Sequence, residues 1–508
     1  MKKQVTKCFL VYRGMQGELR DPFTDFVPIG LFNILKALLD KGLEVNLINL
    51  SKYTKKEVEK FIKDTYCQVV FISSFFGNHM ISFEIAKLFK EYHKNTYTVI
   101  GGPISILGKE ILKRFSFIDF VIKGEGEEAS SLLIDALNEH KDFSKVSNLV
   151  YRKGDKIIEN PVELIKNIDN FFFLPSQIIQ YCSNVDEENF SIIITSRGCP
   201  FNCNFCSSPL LWQRKTRFHS MDLLLEYLKD LRKCFGTLYF SIRDDNFLFS
   251  KERIKNFTQS LIREKLYYLW NTQGSASFID NELAETLSDA GCDQVQMGIE
   301  SASLKQLKFL NKNLNLSWVK EAIKILRNNL IRPFGYFICG MKESPEEITN
   351  TLNFIKTSGL MDAVVAPLAI YPGAGLSKNY PVDIFFKNQE ILYYDLNSFR
   401  KYKNLFLKTF EEIYQKGFSL NELNLNKKYS FKNNIVKYFA YRRNEQKSLD
   451  FLKEIVDREP KNPWGYYLLG KHFYKKDSTL AIKYLTKADE ILNGKNEEIK
   501  KLIKKVSP

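Results

Sequence analysis

The chain has 508 residues, 44% of them apolar, so it is too long for one ordinary domain and has material for about three packed cores. Its formal net charge of +15 comes from lysines spread along the whole length. No RNA-binding signature accompanies that charge, which argues against nucleic acid and leaves only a diffuse attraction to acidic or phosphate-bearing substrates. Nine cysteines, an odd number without regular pairing, exclude a disulfide framework and point to a reducing compartment, read here as the cytoplasm. No run of about 18 apolar residues offers a membrane span, and MKKQVTKCFLVYR lacks the apolar core of a signal peptide.

Residues 1–142 alternate strand and helix patterns. KCFLVYR (7–13), LEVNLINL (43–50), QVVFISSF (68–75), YTVIGG (97–102) and FIDFVIKG (117–124) are β-branched or aromatic-rich runs. Segments of helical period such as IGLFNILKALLDKG and MISFEIAKLFKEYH separate them, and EEASSLLIDALNEH closes the set. Such βαβ alternation predicts a doubly wound, Rossmann-like α/β domain with ligands at the carboxyl ends of its strands. Gly101-Gly102 ends the fourth strand and Gly124-Glu125-Gly126-Glu127 the fifth, where glycine permits a tight turn or close approach to a bulky ligand. Residues 143–190 read as a linker with a small hairpin, VSNLVYRKGDKIIENP. An aromatic stretch comes next, in which Phe171, Phe172 and Phe173 are expected to bury between domains.

SIIITSRGCPFNCNFCSS (191–208) organises the central part of the chain: a short strand runs into a loop carrying Cys199, Cys203 and Cys206. Three thiolates at this C-x3-C-x2-C spacing can hold three irons of a [4Fe–4S] cube and leave the fourth iron open to an exogenous ligand. A zinc loop is the competing reading. The spacing resembles that of the radical S-adenosylmethionine (SAM) enzymes. About six βα units in all, this strand included, run to residue 380, fewer than a full eight-unit barrel. The resemblance implies a partial (β/α)6 TIM-like barrel over 191–380, with its chemistry at the strand ends.

Several positions match that superfamily in order. Phe205 stands where the family places an aromatic against adenine, and Asp244 or Asp245 in SIRDDNF where it meets the SAM amino group. Gly298, Glu300 and Ser301 in QVQMGIES match the Gly-x-Glu-Ser strand end whose glutamate accepts hydrogen bonds from SAM. GYFICG with the later Pro345-Glu346-Glu347, and Tyr371-Pro372-Gly373, are further landmarks, and Arg217 matches a basic residue common after the cysteine loop. Relatives often carry an arginine near GSASFID, where this chain has Ser275 and Ser277.

With the cysteine loop downstream, the GGP and GEGE turns look like the cobalamin-binding domain of many radical SAM proteins. That resemblance implies cobalamin contacts at Ser73, Ser74, Gly101, Gly102, Gly124, Glu125, Gly126 and Glu127. One departure is that YRGMQGELRDPF after the first strand has no histidine for the cobalt, whereas His79 after the third strand reads as an ordinary helix-start residue. Past residue 380 the pattern turns helical, with an extension over 381–430. Within 431–508 Ser448, Leu452 and Ile455 align with Ala481, Leu485 and Ala488 at a period of about 33. This resembles tetratricopeptide repeats, whose period is about 34, and serves either a protein partner or a helical cap over the site.

The resemblance therefore implies an enzyme that cleaves SAM reductively with a [4Fe–4S] cluster, and with cobalamin transfers a methyl group to an unactivated carbon of a small molecule or peptide. An electron donor such as flavodoxin or ferredoxin is expected. A radical SAM cyclase or rearrangement enzyme with a degenerate cobalamin domain stays open, as does a non-catalytic scaffold.

Overall fold

The computed structural model describes residues 4–16, 22–139, 142–387, 391–426 and 428–506. The histidine-free loop after the first strand lies partly outside them, at 17–21. The chain divides into two compact units. One comprises Met1–Asn189 with Gly198–Phe218 and Ala369–Tyr393; the other comprises Phe190–Arg197 with His219–Leu368 and Tyr394–Pro508.

The first unit is built on β1 (Lys7–Tyr12), β2 (Glu44–Asn49), β3 (Val69–Ser73), β4 (Tyr97–Gly101) and β5 (Phe120–Ile122). They alternate with α1 (Ile29–Asp40), α2 (Lys55–Asp64), α3 (His79–Tyr92), α4 (Gly108–Arg114) and α5 (Glu127–Asn138). These five strands are parallel in the order β5-β4-β3-β1-β2, so strand order reverses between β1 and β3, where open α/β sheets bind ligands. All five residues of β3 are buried, which explains the unbroken apolar run VVFI at the sheet centre. Start signals are explicit in places: Thr54 and Glu57 form a reciprocal capping box at α2.

The expected linker is part of this unit. Its hairpin, β6 (Leu149–Lys153) and β7 (Lys156–Glu159), pairs antiparallel onto β5, and β8 (Cys182–Ser183) extends the other edge beside β2. Both sheet edges would otherwise offer unpaired backbone, which is why the boundary does not fall at residue 142. Phe173 is buried against Phe32 of α1, inside the same unit.

The second unit holds six parallel strands in sequential order, β9 (Ile192–Ile193), β10 (Tyr239–Ile242), β11 (Leu269–Gly274), β12 (Cys292–Glu300), β13 (Arg332–Cys339) and β14 (Asp362–Pro367). Between them run α6 (Met221–Phe235), α7 (Lys251–Arg263), α8 (Asn281–Asp289), α9 (Leu316–Asn328) and α10 (Pro345–Thr357), giving the partial (β/α)6 barrel. On β12 the outward residues Val295, Met297 and Ile299 are fully buried, while Gln294, Gln296 and Gly298 alternate with them on the inner face. A closed barrel fills its interior with branched apolar side chains; this strand turns amides inward.

Helix α11 (Leu396–Tyr414) packs beside α10 and β14. The C-terminal helices α12 (Phe431–Ala440), α13 (Glu445–Arg458), α14 (Pro463–Phe473), α15 (Ser478–Ile491) and α16 (Glu497–Val506) form two hairpins and a closing helix. The aligned positions Ser448, Leu452 and Ile455 and their counterparts Ala481, Leu485 and Ala488 are all buried, so the sequence period marks the packed face. These helices share a core with Leu238 and Leu269 at the amino ends of β10 and β11, and Trp464 Nε1 donates to Tyr267 O at 3.1 Å. They therefore dock at the amino ends of the strands, opposite the carboxyl ends, and are not a cap over the site. Lys432 of α12 is fully buried and donates to the Asn329 and Leu330 carbonyls at 2.9 and 3.0 Å, where α9 ends. Burial lowers its pKa to about 7. Among the described residues no helix is long and apolar enough to cross a membrane.

Candidate active site

In the first unit the expected glycine turns meet around the β1/β3 switch point. Gly102 has a φ of +81°, and a Cβ there would lie 2.6 Å from Ser74 O, so only glycine lets the turn close on β3. Ser74, fully buried, donates its N–H to Gly101 O at 3.0 Å and accepts from Ile104 N at 3.3 Å. Ser73 is also buried. A Cβ built on Gly101 would meet nothing within 4 Å, so the strand end faces open space. Asn78, which no sequence motif marks, crosses the switch point: its Nδ2 donates to Arg13 O and its Oδ1 accepts from Phe75 N, both at 2.6 Å.

The turn after β5 is held by its two acids. Glu127 Oε1 accepts from Asn33 Nδ2 on α1 at 3.2 Å. Glu125 accepts from Ile165 N at 2.8 Å and from Arg217 Nη1 at 2.6 Å, through one carboxylate oxygen. Gly124 and Gly126 bracket Glu125 in this turn. His79 is buried with Nδ1 at 2.7 Å from Phe76 O, and burial lowers its pKa, as suits a neutral core imidazole.

The cysteine loop belongs to the same unit. Cys199, Cys203 and Cys206 are half-buried and in no disulfide, and Phe205 is half-buried between the last two. Cys206 N donates to Cys203 O at 3.2 Å, and Ser208 N donates to Cys206 Sγ at 3.4 Å, which favours a thiolate there. The Tyr-Pro-Gly landmark braces this loop: Leu376 N donates to Asn204 O at 3.0 Å, and the Tyr371 ring rests 5.2 Å from that of Phe76.

In the second unit, the two aspartates after β10 part company. Asp244 is fully buried and accepts from Thr195 N, Thr195 Oγ1 and Ser196 Oγ, each at 2.6 Å. Burial raises its pKa against those bonds and the Arg253 charge. Arg253 in turn donates to the Thr195 and His219 carbonyls at 2.9 and 3.2 Å. Asp244 thus anchors the segment leading into the cysteine loop, while Asp245 is exposed.

The Gly-x-Glu-Ser strand end is strained. Glu300 is buried with φ +65°, and Ser301 N donates back to Ile299 O at 2.8 Å, a tight three-residue turn at a register shift between β12 and β13. A Cβ on Gly298 would lie 2.5 Å from Glu300 Oε1 and 3.0 Å from Lys312 Nζ, so glycine here makes room for an ion pair of 3.0 Å. Ser301 Oγ accepts from Ser303 N at 3.1 Å and lies 3.4 Å from Thr351 Oγ1. The inner wall beside it is polar: Gln296 Oε1 accepts from Arg243 and Tyr336, and Gln296 Nε2 donates to Gln294 at 2.7 Å. Ser275 and Ser277 bond each other at 2.9 Å, so the inner face draws its arginine from Arg243 rather than from that turn. Cys339 is fully buried and its thiol is pushed up to about 12 by burial, which leaves it unreactive.

The donor set fits both implied cofactors. Three half-buried thiols on one loop, with a sulfur-directed N–H, suit a cube that spreads its cysteines over separate irons. Among the described residues no three or more His, Cys, Asp or Glu side chains gather at a single-ion site. For cobalamin, the open space at Gly101 is joined by two buried hydroxyls without partners among the described residues, Ser105 Oγ and Ser130 Oγ, after β4 and β5.

The open α/β sheet and the partial barrel are the parts of the chain that two family models cover. Residues 193–355 match the family model of the Radical SAM superfamily and residues 20–134 that of the B12 binding domain. An uncharacterized methyltransferase of Pyrococcus horikoshii is 29% identical over 69% of this chain and 77% of its own. An anaerobic magnesium-protoporphyrin IX monomethyl ester cyclase of Synechocystis is 26% identical over 64% and 66%. Among solved structures, the radical SAM methyltransferase TsrM of Kitasatospora setae, with cobalamin and a [4Fe–4S] cluster bound, superposes with a TM-score of 0.60 at 18% identity. It covers 73% of this chain and 77% of that one. The cobalamin-dependent radical SAM enzyme OxsB, with aqua-cobalamin bound, gives 0.60 at 17% identity over 99% and 75%. Over those two segments the chain is similar to radical SAM proteins and to B12-binding proteins.

Proposed function

We propose that the protein is a cobalamin-dependent radical SAM methyltransferase acting on an unactivated carbon of a small molecule or peptide. One observation carries this reading: a loop of three cysteine thiols and a sheet with an open glycine end at its switch point occur in one chain. When bound, the cluster supplies the electron that cleaves SAM, and cobalamin supplies a transferable methyl group.

The chain's residues do the rest. Cys199, Cys203 and Cys206 hold the cluster, and Ser208 N–H steadies one thiolate. Glu300, pinned by Lys312, and Asp245 hold SAM, with Phe205 against its adenine. Asp244 positions Thr195 and Ser196 without contacting a ligand. The wall of Gln294, Gln296, Arg243 and Tyr336 favours a substrate with hydrogen-bonding groups over a bare hydrocarbon. A one-electron donor such as flavodoxin or ferredoxin in a reducing cytoplasm completes the requirement, and the tetratricopeptide-like hairpins, docked by one face, offer the other to a protein partner.

Likeness to the Synechocystis cyclase favours a second reading, a radical cyclase or rearrangement enzyme. Incubation with SAM labelled in its methyl group separates the two. Label in the product supports methyl transfer, whereas SAM cleavage without label transfer to any product supports the cyclase.

A further inference from the structure

Arg217 leaves the cysteine loop with its side chain only 13% exposed. Its Nη1 is fully used, donating to Glu125 Oε2 at 2.6 Å and to Ile165 O at 2.7 Å. Its Nε and Nη2 are buried and have no partner among the described residues. Those two N–H groups form the parallel fork by which arginine grips an acceptor bidentately. The Trp212 ring, 5.7 Å from the guanidinium, backs its plane. An unmet buried donor is costly, and two on one edge of one side chain mean that an acceptor completes this site.

The charge balance narrows its chemistry. Glu125, 1% exposed, already neutralises Arg217, so a full anion at the fork would leave the buried group with a net negative charge. A neutral carbonyl oxygen satisfies both N–H groups without that cost. Glu125 lies in the turn after β5, at the same strand ends as Gly101 and its open space. Corrins carry carboxamides around their ring. On the reading that this sheet holds cobalamin, we infer that the Nε/Nη2 edge of Arg217 receives a carboxamide carbonyl of the corrin periphery, so that the exit of the cysteine loop selects the corrinoid. The phosphodiester of the nucleotide loop is the other oxygen source cobalamin could offer.

The test is an absorption titration of the full chain, with its cluster reconstituted, using hydroxocobalamin and cobinamide, which keeps the ring amides and lacks the nucleotide loop. Arg217→Lys keeps the charge opposite Glu125 and loses the fork; Arg217→Met loses both. Both variants are expected to weaken binding of both corrinoids about tenfold or more, with iron content and melting temperature of Arg217→Lys unchanged. Unchanged affinity in Arg217→Lys overturns the inference, and weakening confined to hydroxocobalamin overturns it in favour of the phosphodiester. If wild type binds neither corrinoid, the cobalamin reading itself fails and this inference with it.

Discussion

Two buried glutamates invite comparison. Glu125 lies in the turn after β5 and Glu300 ends β12; each stands at a glycine-bearing strand end, and each is paired with one base, Arg217 at 2.6 Å and Lys312 at 3.0 Å. Around Glu125 the backbone is relaxed and the unmet hydrogen bonding lies on its partner. Around Glu300 the strain lies in its own backbone, at φ +65°. A point-charge lysine only neutralises its glutamate, whereas an arginine can neutralise with one edge and bind with another. On the proposed reading, the first glutamate serves through its partner and the second is itself presented to SAM.

The largest expected effect lies outside both pairs and shows whether either matters. Replacing Cys199, Cys203 and Cys206 together by alanine should abolish bound iron and SAM cleavage, as read by metal analysis and 5′-deoxyadenosine release; retained cleavage would remove the basis for any SAM site. Gly298→Ala comes next. Its methyl displaces the Glu300–Lys312 pair rather than the backbone, so SAM affinity should fall about tenfold with little change in melting temperature. A calorimetric titration matching wild type would make Glu300 as structural as Glu127.

Asp244→Ala removes the acceptor for three donors and should cost about 3 kcal/mol in chemical denaturation. A loss in SAM affinity without that cost would instead assign Asp244 to ligand binding. Lys432 supplies a reference at the opposite, amino ends of the strands. Its folded pKa of about 7 lies below the ordinary lysine value of 10.5, so the unfolded chain binds more protons between the two. Stability should therefore rise with pH from about 7 to about 10, by up to about 1 kcal/mol per unit. Lys432→Met should flatten that slope in urea titrations.

Much of this was legible in sequence, because the signals were local. The five strands of the first sheet appear as β-branched runs, and the cysteine spacing and GIES sit within single segments. Burial of Ser448, Leu452 and Ile455 with their counterparts shows the repeat period reporting a real packed face. What failed to show depends on distant partners. Arg217 meets Glu125 across 92 residues, and nothing in either neighbourhood announces it. The hairpin at 149–159 read as a linker because a spare sheet edge is a property of the folded sheet. Asp244 and Asp245 look alike in sequence; only the folded turn after β10 buries one against Thr195 and Ser196 and leaves the other exposed. The amide wall is assembled from β12 and its neighbours, so it too becomes visible only in three dimensions.

The most direct test of the central claim is anaerobic purification with iron, sulfide and hydroxocobalamin supplied, then metal analysis and an absorption spectrum. About four irons and one cobalt per chain, with corrinoid bands retained through gel filtration, is the result predicted for a cobalamin-dependent radical SAM methyltransferase. Iron without cobalt would contradict it, and would leave a radical enzyme whose first sheet is a structural relic.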